Sequence, residues 1–239
     1  MPLNPEHRSG LITQCLSTVR ERLSEAAIRY AREPATVRLL AVSKQHSAEL
    51  IAAAAQAGQR DFGESYLQEA LPKIQACKPL GLTWHFIGQV QGNKTRAIAE
   101  HFDWVHTVDR DRSAQRLNDQ RPDPANPLQV CIQVKLAPEE TKGGVDPAQV
   151  LPLAQLIITL PRLTLRGLMC IPPPSQLPEH QRRYFAQLAT LQKQLNHQLA
   201  PSGVHLDTLS MGMSGDYEAA IAEGSTMVRI GTAIFGERR

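Results

Sequence analysis

A lysine directly after an apolar stretch is the side chain of this sequence best suited to covalent chemistry. Residues 37–42 form a β-like apolar run, and Ser43 and Lys44 follow it. A lysine in this position is either a solvated strand end or a nucleophile that forms Schiff bases, its pKa lowered by desolvation and by nearby cations. The groups that the fold brings to Lys44 decide between these two interpretations.

Small and hydroxyl-bearing residues near the end of the sequence are typical of an anion-binding site. Ser214 follows the strand-like run 205–210, and Gly231 and Thr232 follow the run 227–230. Each lies just before a predicted helix, where unbonded backbone N–H groups and the helix dipole favour a phosphate. We therefore predict that Ser214, Gly231 and Thr232 form a phosphate-binding site.

The elements that must position these residues alternate along the chain. After an opening helix over residues 5–32, eight short β-like runs are each followed by a helical pattern. This rhythm predicts an α/β protein with a parallel sheet. Eight units favour one (β/α)₈ TIM barrel, residues 37–236, with an extra N-terminal helix within residues 1–34, as a single domain over residues 1–239. An open doubly wound sheet is disfavoured because no G-x-G-x-x-G follows the first strand.

Barrel closure would make Lys44 and the C-terminal phosphate site neighbours. A Schiff-base lysine beside a phosphate site indicates either pyridoxal 5′-phosphate or a phosphorylated sugar aldehyde. Arg229 bears on the choice, because its guanidinium would donate to a pyridine nitrogen and leave that nitrogen unprotonated. An arginine on the outer face of the strand, paired with a helix acid, is the alternative. A sugar aldolase would need another acid–base group, for which Glu64 is the candidate.

Composition excludes several classes of function. The net charge is +3, and lysine and arginine are scattered, so we expect no nucleic-acid partner. No apolar run approaches the ~18 residues of a membrane span. The four cysteines form no C-x-x-C pair, and no histidine lies at zinc-ligand spacing from any of them. This pattern predicts reduced thiols, no metal site and a cytoplasmic location.

Seven motifs in unbroken order resemble the YggS/PROSC family of pyridoxal phosphate homeostasis proteins. They are Ala41-Val42-Ser43-Lys44, Phe62-Gly63-Glu64, Trp84-His85-Phe86-Ile87-Gly88, Asn93-Lys94, Arg166-Gly167-Leu168-Met169, Ser210-Met211-Gly212-Met213-Ser214 and Val228-Arg229-Ile230-Gly231-Thr232-Ala233-Ile234-Phe235-Gly236. The chain departs from the family pattern at Ser65, Gly92 and residues 45–47.

The resemblance implies a fold like the N-terminal barrel of alanine racemase, with pyridoxal 5′-phosphate as the cofactor. Carried over by motif, Lys44 would hold the cofactor as an aldimine, Arg229 would contact its ring nitrogen, and Ser214, Gly231 and Thr232 would bind its phosphate. The family implies a carrier and buffer of the cofactor in vitamin B6 and amino-acid homeostasis. We expect a monomer that passes the cofactor to apo pyridoxal phosphate enzymes.

An amino-acid racemase is the alternative function. It needs two bases, one on each face of the substrate carbon. In alanine racemase a second domain and a partner subunit complete the site, whereas this sequence ends three residues after Gly236. We therefore expect no robust turnover, with Tyr66 and Tyr217 as second-base candidates that are more simply explained as packing residues.

Two further features carry weaker expectations. His85 is predicted to be a hydrogen-bonded barrel histidine rather than a proton carrier. Residues 139–144 are charged and glycine-rich, which predicts a mobile loop at the cofactor mouth that includes Lys142.

Overall fold

Eight parallel strands pair in chain order, and the last pairs with the first to close a barrel. This computed structural model describes residues 5–137, 143–173, 175 and 177–237. The strands are β1 (Arg38–Val42), β2 (Asp61–Glu64), β3 (Thr83–Phe86), β4 (Trp104–Val108), β5 (Leu128–Gln133), β6 (Leu163–Met169), β7 (Thr208–Ser210) and β8 (Met227–Ile230). The predicted (β/α)₈ barrel is confirmed.

Helices alternate with these strands and form the outer layer. They are α1 (Pro5–Arg29), α2 (Ala48–Gln56), α3 (Leu67–Ala76), α4 (Thr95–His101), α5 (Asp111–Gln120), α6 (Val150–Ile158), α7 (Pro178–Leu199), α8 (Tyr217–Ala222) and α9 (Thr232–Phe235). The extra helix α1 packs on α2, α8 and α9, and therefore covers the part of the barrel where β8 meets β1.

Helix α1 is held by a buried apolar stripe and by its C-terminal connection. Leu16, Val19 and Leu23 recur at three- and four-residue steps and are buried in the core. The helix ends at Arg29, three residues before the predicted end. Arg32 instead donates from Nη1 to the carbonyls of Ile221 (3.0 Å) and Ser225 (2.6 Å), which fixes the chain leading into β1 beside the α8–β8 connection.

The two faces of the strands differ in composition. On β1, Leu39 and Ala41 join the apolar layer between sheet and helices, as expected for a parallel strand covered by helices. Leu40 lies on the opposite, inner face, because it is paired with the buried Arg229 of β8, and a Cβ added at Gly63 on β2 would approach its side chain to 3.4 Å. Interiors of such barrels are usually filled by branched apolar side chains. Here polar side chains also cross the interior.

The four cysteines lie within the described residues. All four cysteines are free thiols, and burial raises the pKa of Cys131 and Cys170 to about 12, so both stay protonated. Among the described residues no helix is long and apolar enough to span a membrane. Most of the predicted mouth loop, with Lys142, lies outside the described residues.

Candidate cofactor-binding site

Lys44 lies two residues beyond the end of β1, at the carboxyl end of the barrel strands. It is partly buried, and the alternation that places Leu40 inside places Lys44 on the same side of the chain. The chain then turns at Gln45, whose φ is +64° and whose N–H donates to Glu69 Oε2 of α3 (2.8 Å). The turn therefore depends on a helix acid that the sequence analysis did not identify.

A buried cluster behind Lys44 fixes the end of its strand. Ser43 Oγ donates to Glu64 Oε1 (2.7 Å), and Lys73 Nζ donates to the same oxygen (2.9 Å) and to the Ser43 carbonyl (3.0 Å). Burial raises the pKa of Glu64, although the hydrogen bonds from Lys73 and Ser43 oppose this. Since Gly63 faces the barrel interior, Glu64 faces α3. It is not placed as the acid–base group that a sugar aldolase would need.

Arg229 is buried inside the barrel, with 4% of its surface exposed. Its Nη1 donates to the carbonyl and Oγ of Ser210 (2.6 and 2.9 Å), and its Nη2 donates to the carbonyl of Cys170 (2.9 Å). Burial lowers the pKa of Arg229, while the guanidinium remains charged. The alternative of an outer-face arginine paired with a helix acid is therefore wrong.

The same contacts leave part of the guanidinium for another acceptor. A guanidinium carries five N–H bonds, and three of them are used toward Ser210 and Cys170. The Nε–H and one Nη2–H have no acceptor within the described part of the chain. A ring nitrogen above Arg229 would supply one.

The turns after β7 and β8 bring the predicted phosphate-binding residues together. The N–H of Arg229 in β8 donates to the carbonyl of Gly212 (2.9 Å), which joins the turn after β7 to strand β8. Gly212 has a φ of +96°, and a Cβ there would lie 2.6 Å from Cβ of Ala220. Only glycine fits this position. Gly231 also lies close to β1, since an added Cβ would lie 3.0 Å from the Val42 carbonyl oxygen.

These two turns expose backbone donors. Helix α9 begins at Thr232 after the N-cap Gly231, and Ser214 lies three residues before α8. The N–H groups of Ser214, Gly215, Thr232 and Ala233 donate to no acceptor among the described residues. Ser214 and Thr232 are also exposed. Four unbonded N–H groups and two hydroxyls suit a phosphate.

A chain of polar side chains inside the barrel was not predicted. Asp61, His85, His106 and Ser210 connect one wall to Arg229 through hydrogen bonds. His85 is fully buried between Asp61 and His106, so its prediction as a hydrogen-bonded barrel histidine is confirmed. Alternation along β4 would have placed His106 inside, but the sequence gave no sign of its partners.

The two tyrosines differ. Tyr217 is partly buried against the core, as predicted, and burial raises its pKa. Tyr66 is 53% exposed at the N-terminus of α3, so its prediction as a packing residue is wrong.

Comparison with known proteins identifies the family. Residues 16–239 match the alanine racemase N-terminal domain family. A pyridoxal phosphate homeostasis protein of Vibrio cholerae is 52% identical over 233 residues, covering 95% of this chain and 96% of the relative. The chain belongs to the pyridoxal phosphate homeostasis protein family. A relative from Escherichia coli K12 is 51% identical over 230 residues, with 95% of this chain and 97% of the relative covered.

Solved structures of this family have the same fold. PipY of Synechococcus elongatus, solved with pyridoxal phosphate bound, is 39% identical, with a TM-score of 0.83 over 94% of this chain and all of PipY. PipY solved without the cofactor is 40% identical, with a TM-score of 0.84 and the same coverage of both chains. An alanine racemase of Clostridium difficile is 15% identical, with a TM-score of 0.65. The superposition covers 91% of this chain and 56% of the racemase, and it shows a shared fold alone.

Proposed function

We propose that this protein binds pyridoxal 5′-phosphate and serves vitamin B6 and amino-acid homeostasis as a carrier and buffer of the cofactor. The observation that carries the proposal is one mouth of the barrel that combines Lys44, a buried arginine with unused N–H groups, and a set of unbonded backbone donors. Family membership, with a relative solved with the cofactor bound, supports the same conclusion.

In this proposal each group on the chain has one role. Lys44 holds the cofactor as a Schiff base, and Arg229 donates a hydrogen bond to the ring nitrogen. Ser214, Gly231 and Thr232 bind the phosphate through hydroxyl and N–H groups. The bound cofactor would supply an electron-withdrawing ring, but a nitrogen that only accepts a hydrogen bond makes that ring a weak electron sink.

We further propose that the protein does not turn over amino acids at an appreciable rate and delivers the cofactor to apo enzymes. Arg229 at the ring nitrogen disfavours racemisation. In addition, the second-base candidate Tyr66 is exposed at a helix N-terminus rather than enclosed. The proposal treats the protein as a cytoplasmic monomer, and its four free thiols suit a reducing compartment.

The first prediction concerns Lys44. Lys44→Ala should abolish the visible absorption band of the cofactor-loaded protein and prevent borohydride from fixing the cofactor to the chain. Far-UV circular dichroism should be nearly unchanged, since a lysine beyond the strand end contributes little to the core. Lys78→Ala, at an exposed lysine, is the matched control and should behave as wild type.

A Lys44→Ala protein that remains yellow, and to which borohydride still fixes the cofactor, would contradict this assignment.

Turnover and transfer of the cofactor are tested with the same proteins. Racemisation and transamination of common amino acids by the loaded wild type should not exceed those of Lys44→Ala, and an apo pyridoxal phosphate enzyme mixed with loaded wild type should recover activity. Robust racemisation would favour the alternative function.

The second prediction concerns the phosphate. Pyridoxal phosphate should bind far more tightly than pyridoxal, and Thr232→Val should reduce that difference by about 1.5–3 kcal/mol, the contribution of a hydrogen bond to a charged group. Dissociation constants from absorbance titration test this. Thr159→Val, at an exposed threonine of the α6–β6 connection, is the control. Equal affinity for the two aldehydes would contradict a phosphate-binding site.

A further inference from the structure

Four hydrogen bonds connect Asp61 to Arg229 across the barrel interior. His85 Nε2 lies 3.0 Å from Asp61 Oδ1, and His85 Nδ1 lies 2.9 Å from His106 Nε2. His106 Nδ1 lies 2.8 Å from Ser210 Oγ, which lies 2.9 Å from Arg229 Nη1. Strands β2, β3, β4, β7 and β8 each contribute one residue. We call these five residues the Asp61–Arg229 chain.

Both histidines of this chain are held in the neutral form. His85 and His106 are fully buried, and burial lowers the pKa of each, that of His106 to well below its ordinary value, although the hydrogen bond to Asp61 and the charge of Asp61 oppose the lowering at His85. The positive charges of Arg229 and Arg38 lower the pKa of His106 further. Trp104 stacks on His85 with ring centroids 5.3 Å apart, which keeps water from this ring.

Neutral histidines give every proton in the chain a fixed position. An ionised Asp61, 3.7 Å from Arg38, can only accept, so His85 donates from Nε2 and its Nδ1 must accept. His106 therefore donates from Nε2 to His85, and its Nδ1 accepts the hydroxyl proton of Ser210. The oxygen of Ser210 then presents a lone pair to Arg229. The reverse direction would place the lone pair of His85 against the carboxylate.

We infer that the Asp61–Arg229 chain positions the guanidinium of Arg229 so that its unused N–H groups are directed at the ring nitrogen of the bound cofactor. This inference rests on the proposed function. His106 acts here as a positioning residue, because it touches Ser210 and not the cofactor. Its acceptor nitrogen holds the hydroxyl of Ser210 in the orientation that Arg229 requires.

Two substitutions of His106 separate its two ring nitrogens. In His106→Asn the amide oxygen lies near the former Nδ1 and can still accept from Ser210. In His106→Gln the amide nitrogen lies near the former Nε2, so the donor toward His85 is kept and the acceptor for Ser210 is lost. Both remove the imidazole, so a difference between them reports the Ser210 contact rather than a loss of packing.

The experiment compares pyridoxal phosphate with its 1-deaza analogue, in which C–H replaces the ring nitrogen. Wild type should bind pyridoxal phosphate about tenfold or more tightly than the analogue, as expected for a hydrogen bond from a charged donor. His106→Asn should keep most of this preference, whereas His106→Gln and Ser210→Ala should lose most of it. His197→Gln, at an exposed histidine, is the control for an unrelated substitution.

Each outcome bears on one of the two proposals. A folded His106→Gln protein that keeps the full preference overturns the inference, as does a uniform loss of affinity for both aldehydes. A wild type that binds both aldehydes equally also overturns it, together with the proposed role of Arg229 at the ring nitrogen, while the proposal that the protein binds the cofactor stands. A wild type that does not bind pyridoxal phosphate overturns the proposed function itself.

A measurement on the wild type tests the chain without any substitution. Nitrogen-15 spectra of histidine-labelled protein should show His85 and His106 as neutral rings protonated at Nε2, with or without cofactor. Finding either ring protonated at Nδ1 or as imidazolium near neutral pH would overturn the inference. This arm decides the direction of the chain even if His106→Gln and Ser210→Ala fail to fold.

Discussion

At the scale of single residues, the two buried histidines should make the protein sensitive to mild acid. Their pKa values are lowered on folding, so below about pH 6.5 the unfolded chain binds protons that the folded chain does not. The unfolding free energy is therefore unaffected by these two groups above about pH 6.5. It falls as the pH drops from about 6.5 toward the pKa values of the histidines in the folded state.

This third prediction is tested by urea denaturation between pH 7.5 and 5.5. His106→Asn should show a smaller loss of unfolding free energy over this range than wild type, whereas the exposed His197→Gln should show the same loss. Groups that face His106 from other strands are Arg38, His85, Ser210 and Arg229. The raised carboxyl pKa values of Glu64 and Asp216 make the folded state more stable as the pH falls, opposite to the effect of the histidines. Both carboxyl groups are present in wild type and in the variants, so their effect cancels when the losses of unfolding free energy are compared. An identical loss in His106→Asn and wild type would contradict the prediction.

Residue types predicted part of the site. Lys44 and the Gly231-Thr232 pair follow strand-like runs, so their position at the mouth was accessible from the sequence. The partners of Arg229 were not, because alternation gives the face of a residue but not which residues meet across a closed barrel. The bonds from Arg229 to Ser210 and Cys170 depend on the register of three strands.

At the scale of elements, an ion pair between β2 and α3 fixes the end of the strand that carries Lys44. Lys73→Met would leave the buried Glu64 carboxylate with Ser43 as its one donor among the described residues. The expected loss is about 3–5 kcal/mol of unfolding free energy, as for other broken buried pairs. Lys78→Met, at an exposed lysine near α3, should change it by no more than about 0.5 kcal/mol.

Adding Glu64→Gln to Lys73→Met completes this fourth prediction. The double variant should recover part of the loss, because the uncompensated charge is removed. Denaturant unfolding of the single and double variants measures the coupling. Additive losses would mean that Glu64 and Lys73 act independently, contrary to their 2.9 Å contact.

Element boundaries show where tertiary contacts override local sequence. The run 205–210 predicts a six-residue strand, but β7 is Thr208–Ser210. The N–H of Leu206 donates to the side chain of Asn196 in α7 (2.7 Å), and Asp207 pairs with Arg166 of β6 (2.5 Å). Neither contact can be deduced from alternation, so the start of β7 could not be predicted.

At the scale of the whole molecule, the candidate site includes residues from both sides of the seam where β1 meets β8. Leu40 pairs with Arg229 and Ala41 with Ile230, although nearly 190 residues separate them. Eight repeated units predicted this closure, which puts Lys44, after β1, and Thr232, after β8, at the ends of neighbouring strands. The fifth prediction is that the cofactor slows global unfolding, because a ligand bound on both sides of the seam is lost when the strands separate.

Urea-jump kinetics with and without saturating pyridoxal phosphate test this prediction. The unfolding rate of wild type should fall on loading, and that of Lys44→Ala, which lacks the attachment on the β1 side, should change little. Equal slowing of both proteins would show that attachment at Lys44 is not needed for the effect.

The closed seam also has a consequence for the order of events during folding. Contacts between residues so distant in sequence carry a large loop-closure entropy and form late in barrels of high contact order. Until β1 pairs with β8, Lys44 and the turn after β8 are not held next to each other. A newly synthesised chain would therefore not bind the cofactor while it is still folding. Binding of the aldehyde would follow closure of the barrel, which is the last step of folding.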